Sequence, residues 1–230
     1  MMVAEGEKNI LRYDRDGAQL HAAVLDHAAD KIIKDALAHL PSDKAGLRLK
    51  GISALNNYLS DDGVMCRIAR SVLGNQAKPV RAVLFDKTPA MNWNLGWHQD
   101  RTVVVQRRVE TPGYDNWSIK SGLPHVEPPF DLLASMVTIR IHLDEVTASN
   151  APLLVAPGSH RLGRVVEADI PGVVEKCGKF VCLAAVGDVW LYATPILHAS
   201  HVAQMPTHRR VLQVDYTAQS LPLGLDWLGI

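Results

Sequence analysis

The sequence predicts a mainly β fold with flanking helices, in which the helices pack against an antiparallel β-sandwich or barrel. Two observations carry this expectation. The first third repeats apolar residues at three-to-four spacing, and from Pro79 onward the chain turns into short β-rich segments separated by Pro, Gly and Asn. One domain over residues 1–230 is expected, with a mostly helical support region over 1–78 and a β core over 79–220.

Taken in order, Leu20, Val24, Ala28, Ile32, Ile33 and Leu37 predict a first helix that ends near Leu40-Pro41. A second helix is expected over 62–73, capped by Asp61 or Asp62 and stopped by Gly74-Asn75. Residues 80–85, 136–143, 180–192 and 211–216 read as strands. Within 136–144, Val137, Ile139, Ile141 and Leu143 share one face, and Thr138, Arg140 and His142 share the other. The apolar face should pack against helices or a second sheet. The polar face either lines the barrel interior, which makes Arg140 and His142 candidate substrate or co-substrate contacts, or faces solvent. Residues 106–131 hold Pro112, Gly113, Gly122, Pro124, Pro128 and Pro129, with one brief strand around 117–120. Loops of that length are usually functional, so this insertion is expected to form a lid. Its Tyr114, Trp117 and His125 either enclose substrate or anchor the loop.

Composition narrows the function classes. Lys plus Arg equals Asp plus Glu at 24 each, so no overall field favours nucleic acid or an anionic membrane surface. Cys66, Cys177 and Cys182 contain no C-x-x-C and are odd in number, which points to buried reduced thiols rather than a disulfide framework or zinc ribbon. Residues 1–16 carry charges of both signs and lack the apolar core of a secretory signal, and runs such as 181–186 are too short to span a bilayer. A soluble protein in a reducing, cytoplasmic setting is expected, with a small-molecule substrate and neither a nucleic-acid nor a membrane partner. No heptad seam speaks to the oligomeric state.

The candidate chemistry lies in His98-Gln99-Asp100, His198 and Arg209. A non-haem Fe(II) centre uses two imidazoles and one carboxylate on one face of the metal and leaves the other positions open for a chelating co-substrate and O2. The triplet alone is weak: with 10 His in the chain, about 0.7 His-x-Asp triplets arise by chance. His142-Leu143-Asp144 is a second one. Context favours the first, because Trp93, Gly96 and Trp97 precede His98 and an apolar run follows it, which suggests a strand edge opening on a pocket. Asp144 runs into Glu145 and a polar turn. His198 and Ser200 share a strand face, with His201 as the rival ligand on the other face. A guanidinium fork suits a carboxylate, so Arg209 or Arg210 is a sensible anchor for a dicarboxylate, and strand parity lets only one of them face inward.

With those residues in place, the chain over roughly 81–216 resembles the phytanoyl-CoA dioxygenase family of Fe(II)/2-oxoglutarate-dependent dioxygenases. The likeness rests on Trp97-His98-Gln99-Asp100, the strand over 139–144, Pro157-Gly158-Ser159-His160 on a turn, and His198-x-Ser200 with Arg209 eleven residues past His198. It departs at Ser149-Asn150-Ala151-Pro152, where relatives often carry Asn-Gly before the turn. The resemblance implies a double-stranded β-helix, a jelly-roll or cupin-like barrel. It implies Fe(II) bound by His98, Asp100 and His198, with 2-oxoglutarate held by Arg209 and Ser200 and approached by Gln99. O2 would be the second co-substrate, succinate and CO2 the by-products, and hydroxylation the outcome because Asp100 is present. Arg140, His142 and Trp117 are expected near the substrate. Two other classes fit the same residues, a non-catalytic metal-binding barrel and a metal dioxygenase that needs no 2-oxoglutarate.

Overall fold

Alternation along the long strands gives each an apolar and a polar face, and the two faces meet different neighbours. The computed structural model describes residues 10–60 and 62–230. Among them the strands are β1 (Ala18–His21), β2 (Leu47–Leu49), β3 (Lys78–Lys87), β4 (Leu95–His98), β5 (Val103–Val104), β6 (Asp115–Lys120), β7 (Leu123–Glu127), β8 (Met136–His142), β9 (Leu153–Val155), β10 (Phe180–Cys182), β11 (Val189–Ala193), β12 (His198–Ser200) and β13 (Arg209–Thr217). The helices are α1 (Tyr13–Asp16), α2 (His27–Leu37), α3 (Ser53–Leu59), α4 (Val64–Leu73), α5 (Phe130–Ala134) and α6 (Ile170–Cys177).

A major sheet in the order β1-β11-β8-β13-β3-β2 and a minor sheet in the order β10-β9-β12-β4 form the jelly roll, and β5-β7-β6 make a separate three-stranded arm. Helices α2, α3 and α4 cover one face of the major sheet: Ile33, Leu37, Leu59, Met65 and Ala69 pack on Ile139, Ile141, Leu191, Leu212 and Val214. The opposite face, bearing Thr138, Arg140 and His142, is buried between the sheets rather than solvated. Trp190 and Tyr192 of the major sheet meet Leu153, Val155 and Cys182 of the minor sheet there. The barrel is therefore packed with apolar side chains at one end and polar ones along the rest of its length.

The helical first third also supplies β1 and β2, the two edges of the major sheet. Leu20 lies in β1, not in the first helix, which begins only where the Asp26 side chain accepts a hydrogen bond from the Ala29 N–H. The three-to-four spacing ran into a strand because its apolar residues before Asp26 also fit an alternating pattern. Gly63, not Asp62, precedes α4, and Asp61 lies outside the described residues. The expected strand over 180–192 divides into β10 and β11 around a turn at Gly187. The three cysteines form no disulfide, and Cys66 and Cys182 are buried. Among the described residues no helix is long and apolar enough to cross a membrane.

Gly17 joins α1 to β1 at φ +75, and a Cβ there would fall 2.1 Å from His160 Nδ1. The His160 turn is thus packed directly on the backbone that leads into β1. Gly17→Ala is expected to destabilise the protein by about 2 kcal/mol or more, from the left-handed backbone plus the displaced ring. Urea unfolding of the variant checks this.

Candidate metal and co-substrate site

Three ligand atoms converge where the minor sheet faces the major one. His98 ends β4, His198 begins β12, and the two are direct cross-strand partners. Their rings lie 4.2 Å apart between centroids, and one ligand atom from each of His98, Asp100 and His198 lies within 4.8 Å of the others. His98 Nδ1 lies 2.8 Å from the Gly96 carbonyl and His198 Nδ1 2.9 Å from the Ile196 carbonyl. A carbonyl only accepts, so each Nδ1 carries the proton and donates, leaving each Nε2 lone pair for a metal. Asp100 Oδ2 is buried without a hydrogen-bond partner. Two oriented imidazole lone pairs beside an unsatisfied carboxylate oxygen fit a divalent ion of the iron type.

The electrostatics agree with this donor set. Burial raises the Asp100 pKa, but His198, Arg81, His98 and Arg140 outweigh it and hold the carboxyl below its usual range. Arg81 Nη2 lies 3.6 Å from Asp100 Oδ2, while Arg81 Nε donates to Asp215 Oδ2. Asp215 Oδ1 accepts from the Thr138 hydroxyl at 3.0 Å. Arg81 thus ties the metal carboxylate into a buried network on the major sheet. Neither Arg81 nor Asp215 carries a recognisable motif. Parity was the available signal, because an inward Arg209 places Gln213 and Asp215 inward as well.

Burial, with the His98 charge, lowers His198 in the metal-free protein, and burial pulls His125 down from 6.5 to about 4. The unfolded chain takes up protons below pH 6.5 while these folded imidazoles stay neutral, so stability is lost as the pH falls from 6.5 toward 4. His125 contributes a loss of about 2 kcal/mol at pH 5. The melting temperature of the metal-free protein is expected to drop between pH 7 and pH 5, and by less in His125→Gln.

The other sequence candidates divide cleanly. Arg209 points inward and is almost fully buried, while Arg210 faces out and clasps Asp144 through two nitrogens. His142-Asp144 is therefore no metal pair, because Asp144 belongs to Arg210 and the His142 ring lies inside the barrel. His201 lies on the outer side against Asn94. Ser200 is buried near Arg209, with which it shares the Ala151 carbonyl; its hydroxyl donates to that carbonyl and accepts from Lys87 Nζ, both at 3.2 Å. The Gln99 amide nitrogen donates to the Gly163 and Pro195 carbonyls and its oxygen accepts from the Val165 N–H. Sitting between His98 and Asp100, it borders the same cavity while its polar atoms tie neighbouring loops together.

Residues 106–131, expected as a lid with one brief strand, contain the two strands of the β6–β7 hairpin. Trp117 and Tyr114 anchor it to Val103, Val126 and Trp227, and Arg108 lies over the Trp117 ring. Trp117 accordingly supports the hairpin. His125 is buried, hydrogen-bonded to the Leu123 carbonyl and near Arg48 Nε. Only the hairpin tip reaches the metal side, where Lys120 joins Trp97, Asp100, Arg101 and the α6 residues Ile170 and Val174 around an open cavity of about 1210 Å³. Helix α6 was not expected from the sequence; its Pro171 lies in the first turn, where proline is well tolerated.

The sequence matches the phytanoyl-CoA dioxygenase (PhyH) family over residues 11–211. The chain belongs to that family. It is accordingly an iron- and 2-oxoglutarate-dependent oxygenase. A search of curated proteins gives no match. Solved structures of the same fold include the apo form of EctD from S. alaskensis, 19% identical with a TM-score of 0.66 and covering 89% of this chain and 74% of that one. AviO1 from Streptomyces viridochromogenes Tue57 is 18% identical with a TM-score of 0.64, over 92% of this chain and 94% of its own. HygX from Streptomyces hygroscopicus, with nickel, 2-oxoglutarate and hygromycin B bound, is 14% identical with a TM-score of 0.62, over 89% and 84%. Family membership selects the oxygenase over the metal-binding barrel and over a dioxygenase that needs no 2-oxoglutarate.

Proposed function

We propose that His98, Asp100 and His198 hold Fe(II), that Arg209 with Ser200 holds the far carboxylate of 2-oxoglutarate, and that the enzyme hydroxylates a small organic substrate. The observation that carries this reading is the pairing of a ready three-ligand set with a buried, inward guanidinium in the same barrel. Arg209 Nη1 donates to the Ala151 carbonyl, and its buried Nε has no partner. Burial, together with the Arg140 charge, pulls Arg209 down to about 9, so it remains a cation at neutral pH. Bound Fe(II) and 2-oxoglutarate supply the activation of O2, coupled to release of succinate and CO2.

The chain's own residues supply orientation and enclosure. The backbone carbonyls of Gly96 and Ile196 fix both imidazoles, and Arg81 holds Asp100 ionised. The substrate enters through the cavity beside α6, whose wall mixes Trp97, Ile170 and Val174 with Arg101, Lys120 and Glu175. That mixture suits a small molecule with both apolar and charged parts, in keeping with HygX, solved with hygromycin B, and EctD, solved with 5-hydroxyectoine.

An anaerobic titration of the metal-free protein with Fe(II) and 2-oxoglutarate tests the assignment through the visible charge-transfer band of the chelate. The wild type is expected to develop the band. Arg209→Ala is expected to need at least about thirtyfold more 2-oxoglutarate, the loss of a charge-assisted bidentate contact. A folded wild type that binds metal yet gives no band sinks the proposal.

A further inference from the structure

The inner face of the major sheet carries more positive charge than one arginine. In register, Lys87 lies opposite Arg209, Phe85 and His142 flank Val211, and Arg140 lies opposite Gln213. Parity turns Lys87, Arg209 and Arg140 to the same inner face, and all three are buried. Among the described residues none of these cations lies in an ion pair. Lys87 Nζ donates to the Ser200 hydroxyl and to the His201 carbonyl and lies 5.0 Å above the Trp93 ring. Arg140 Nη1 donates to Gln213 Oε1 at 2.8 Å, its guanidinium lies 5.6 Å over the Phe85 ring, and its Nε has no partner. His142 is buried with both ring nitrogens unpartnered.

Charges taken out of water without a counter-ion are costly, and buried donors left unsatisfied add to that cost. Arg140 lies over the Phe85 ring, and Lys87 and Arg209, each lowered first by burial, are lowered further by its charge. Burial, with the charges of Arg140 and Arg209, lowers His142 well below the usual imidazole range, so it offers an N–H and a lone pair rather than a further charge.

We propose that Arg140, with His142 two residues on along the same strand face, is a second anchor for the far carboxylate of 2-oxoglutarate, so that this face of the barrel takes up a dicarboxylate before any metal is bound. The inference rests on the reading of Arg209 given above and extends it. Gln213 and Phe85 position the Arg140 fork, and Lys87 fixes the Ser200 hydroxyl at the same end. The carboxylate supplies the counter-charge that the barrel lacks. A pocket built this way favours a co-substrate with two carboxylates over a 2-oxo acid with one.

Calorimetry on the metal-free protein tests this, with Arg140→Met and Arg209→Met alongside the wild type. The wild type is expected to bind 2-oxoglutarate without metal, and Arg140→Met to weaken it by about tenfold or more. Because the substitution removes an unpaired buried cation, the melting temperature of the ligand-free variant should equal or exceed that of the wild type. The control is 2-oxobutyrate, which lacks the far carboxylate, bound to the Ni(II)-loaded proteins. Its affinity is unchanged by Arg140→Met if Arg140 acts on the far carboxylate, and falls in step with that of 2-oxoglutarate if the barrel is merely deformed. That second result, or undiminished 2-oxoglutarate affinity, overturns the proposal. Loss in Arg209→Met but not in Arg140→Met defeats this inference alone, whereas a wild type that binds no 2-oxoglutarate with or without Ni(II) defeats the functional reading itself.

Discussion

Arg81→Met is expected to cost about 3–5 kcal/mol of stability, the penalty for stripping the partner from buried charge. Arg81 is the cation that faces both Asp215 and Asp100, and it is itself held strongly protonated by them against the opposing effect of burial. Without it, Asp215, already raised by burial, becomes neutral, and Asp100 loses one of the charges that keep it ionised. Metal binding should then weaken and shift to higher pH. Urea unfolding reads the first effect, and Mn(II) titrations at several pH values read the second. Adding Asp215→Asn should recover part of the stability, because it removes the second buried charge. A double variant as unstable as Arg81→Met would place the damage in packing rather than in charge.

His198→Ala is expected to abolish turnover, lowering 2-oxoglutarate consumption by at least about 1000-fold, because it removes one of the three proposed metal ligands. Its effect on the fold should be small by comparison. His198 is buried against Tyr192 and His98, and its loss leaves a modest gap at the sheet interface rather than an unpaired charge. Circular dichroism and a melting curve separate a vacant metal site from an unfolded chain. Ligand-free stability close to wild type, with no Mn(II) binding, is the expected combination.

The parts of the site that were legible in the sequence are those whose chemistry is local. His98 and Asp100 sit two residues apart on one strand face, and His198 and Ser200 repeat the spacing, so each pair could be read without knowing the fold. Arg140 and His142 were legible as a polar face but not as an interior one, because alternation alone does not say which side meets water. Lys87, Arg81 and Asp215 were not legible. Each is a single residue on a long strand, and its place depends on the register of β3 against β13, a pairing of segments more than a hundred residues apart. The fold class was readable from the change at Pro79, whereas β7 was obscured by Pro124 and α6 by Pro171-Gly172. The loop hydrogen bonds of Gln99 were not legible either, because Gly163, Val165 and Pro195 come close to it only through the fold.

The arm built by β5, β6 and β7 packs Val105, Val126 and Trp227 onto Val80 of β3 and Met136 of β8, so its apolar core is shared with the edge of the major sheet. It is fastened near the chain's end by the bridge between Val105 and Trp227 and by the Gln106 N–H to the Asp226 carbonyl. Its tip, at Lys120, is the part that borders the cavity. Packed on the major sheet and tied by Arg48 to Ser121 and by Arg164 to Glu127, the arm is a fixed wall that borders the cavity at its turn. Rewriting that turn would recast the entrance while the proposed iron ligands and the proposed dicarboxylate seat, held on other strands, keep their positions.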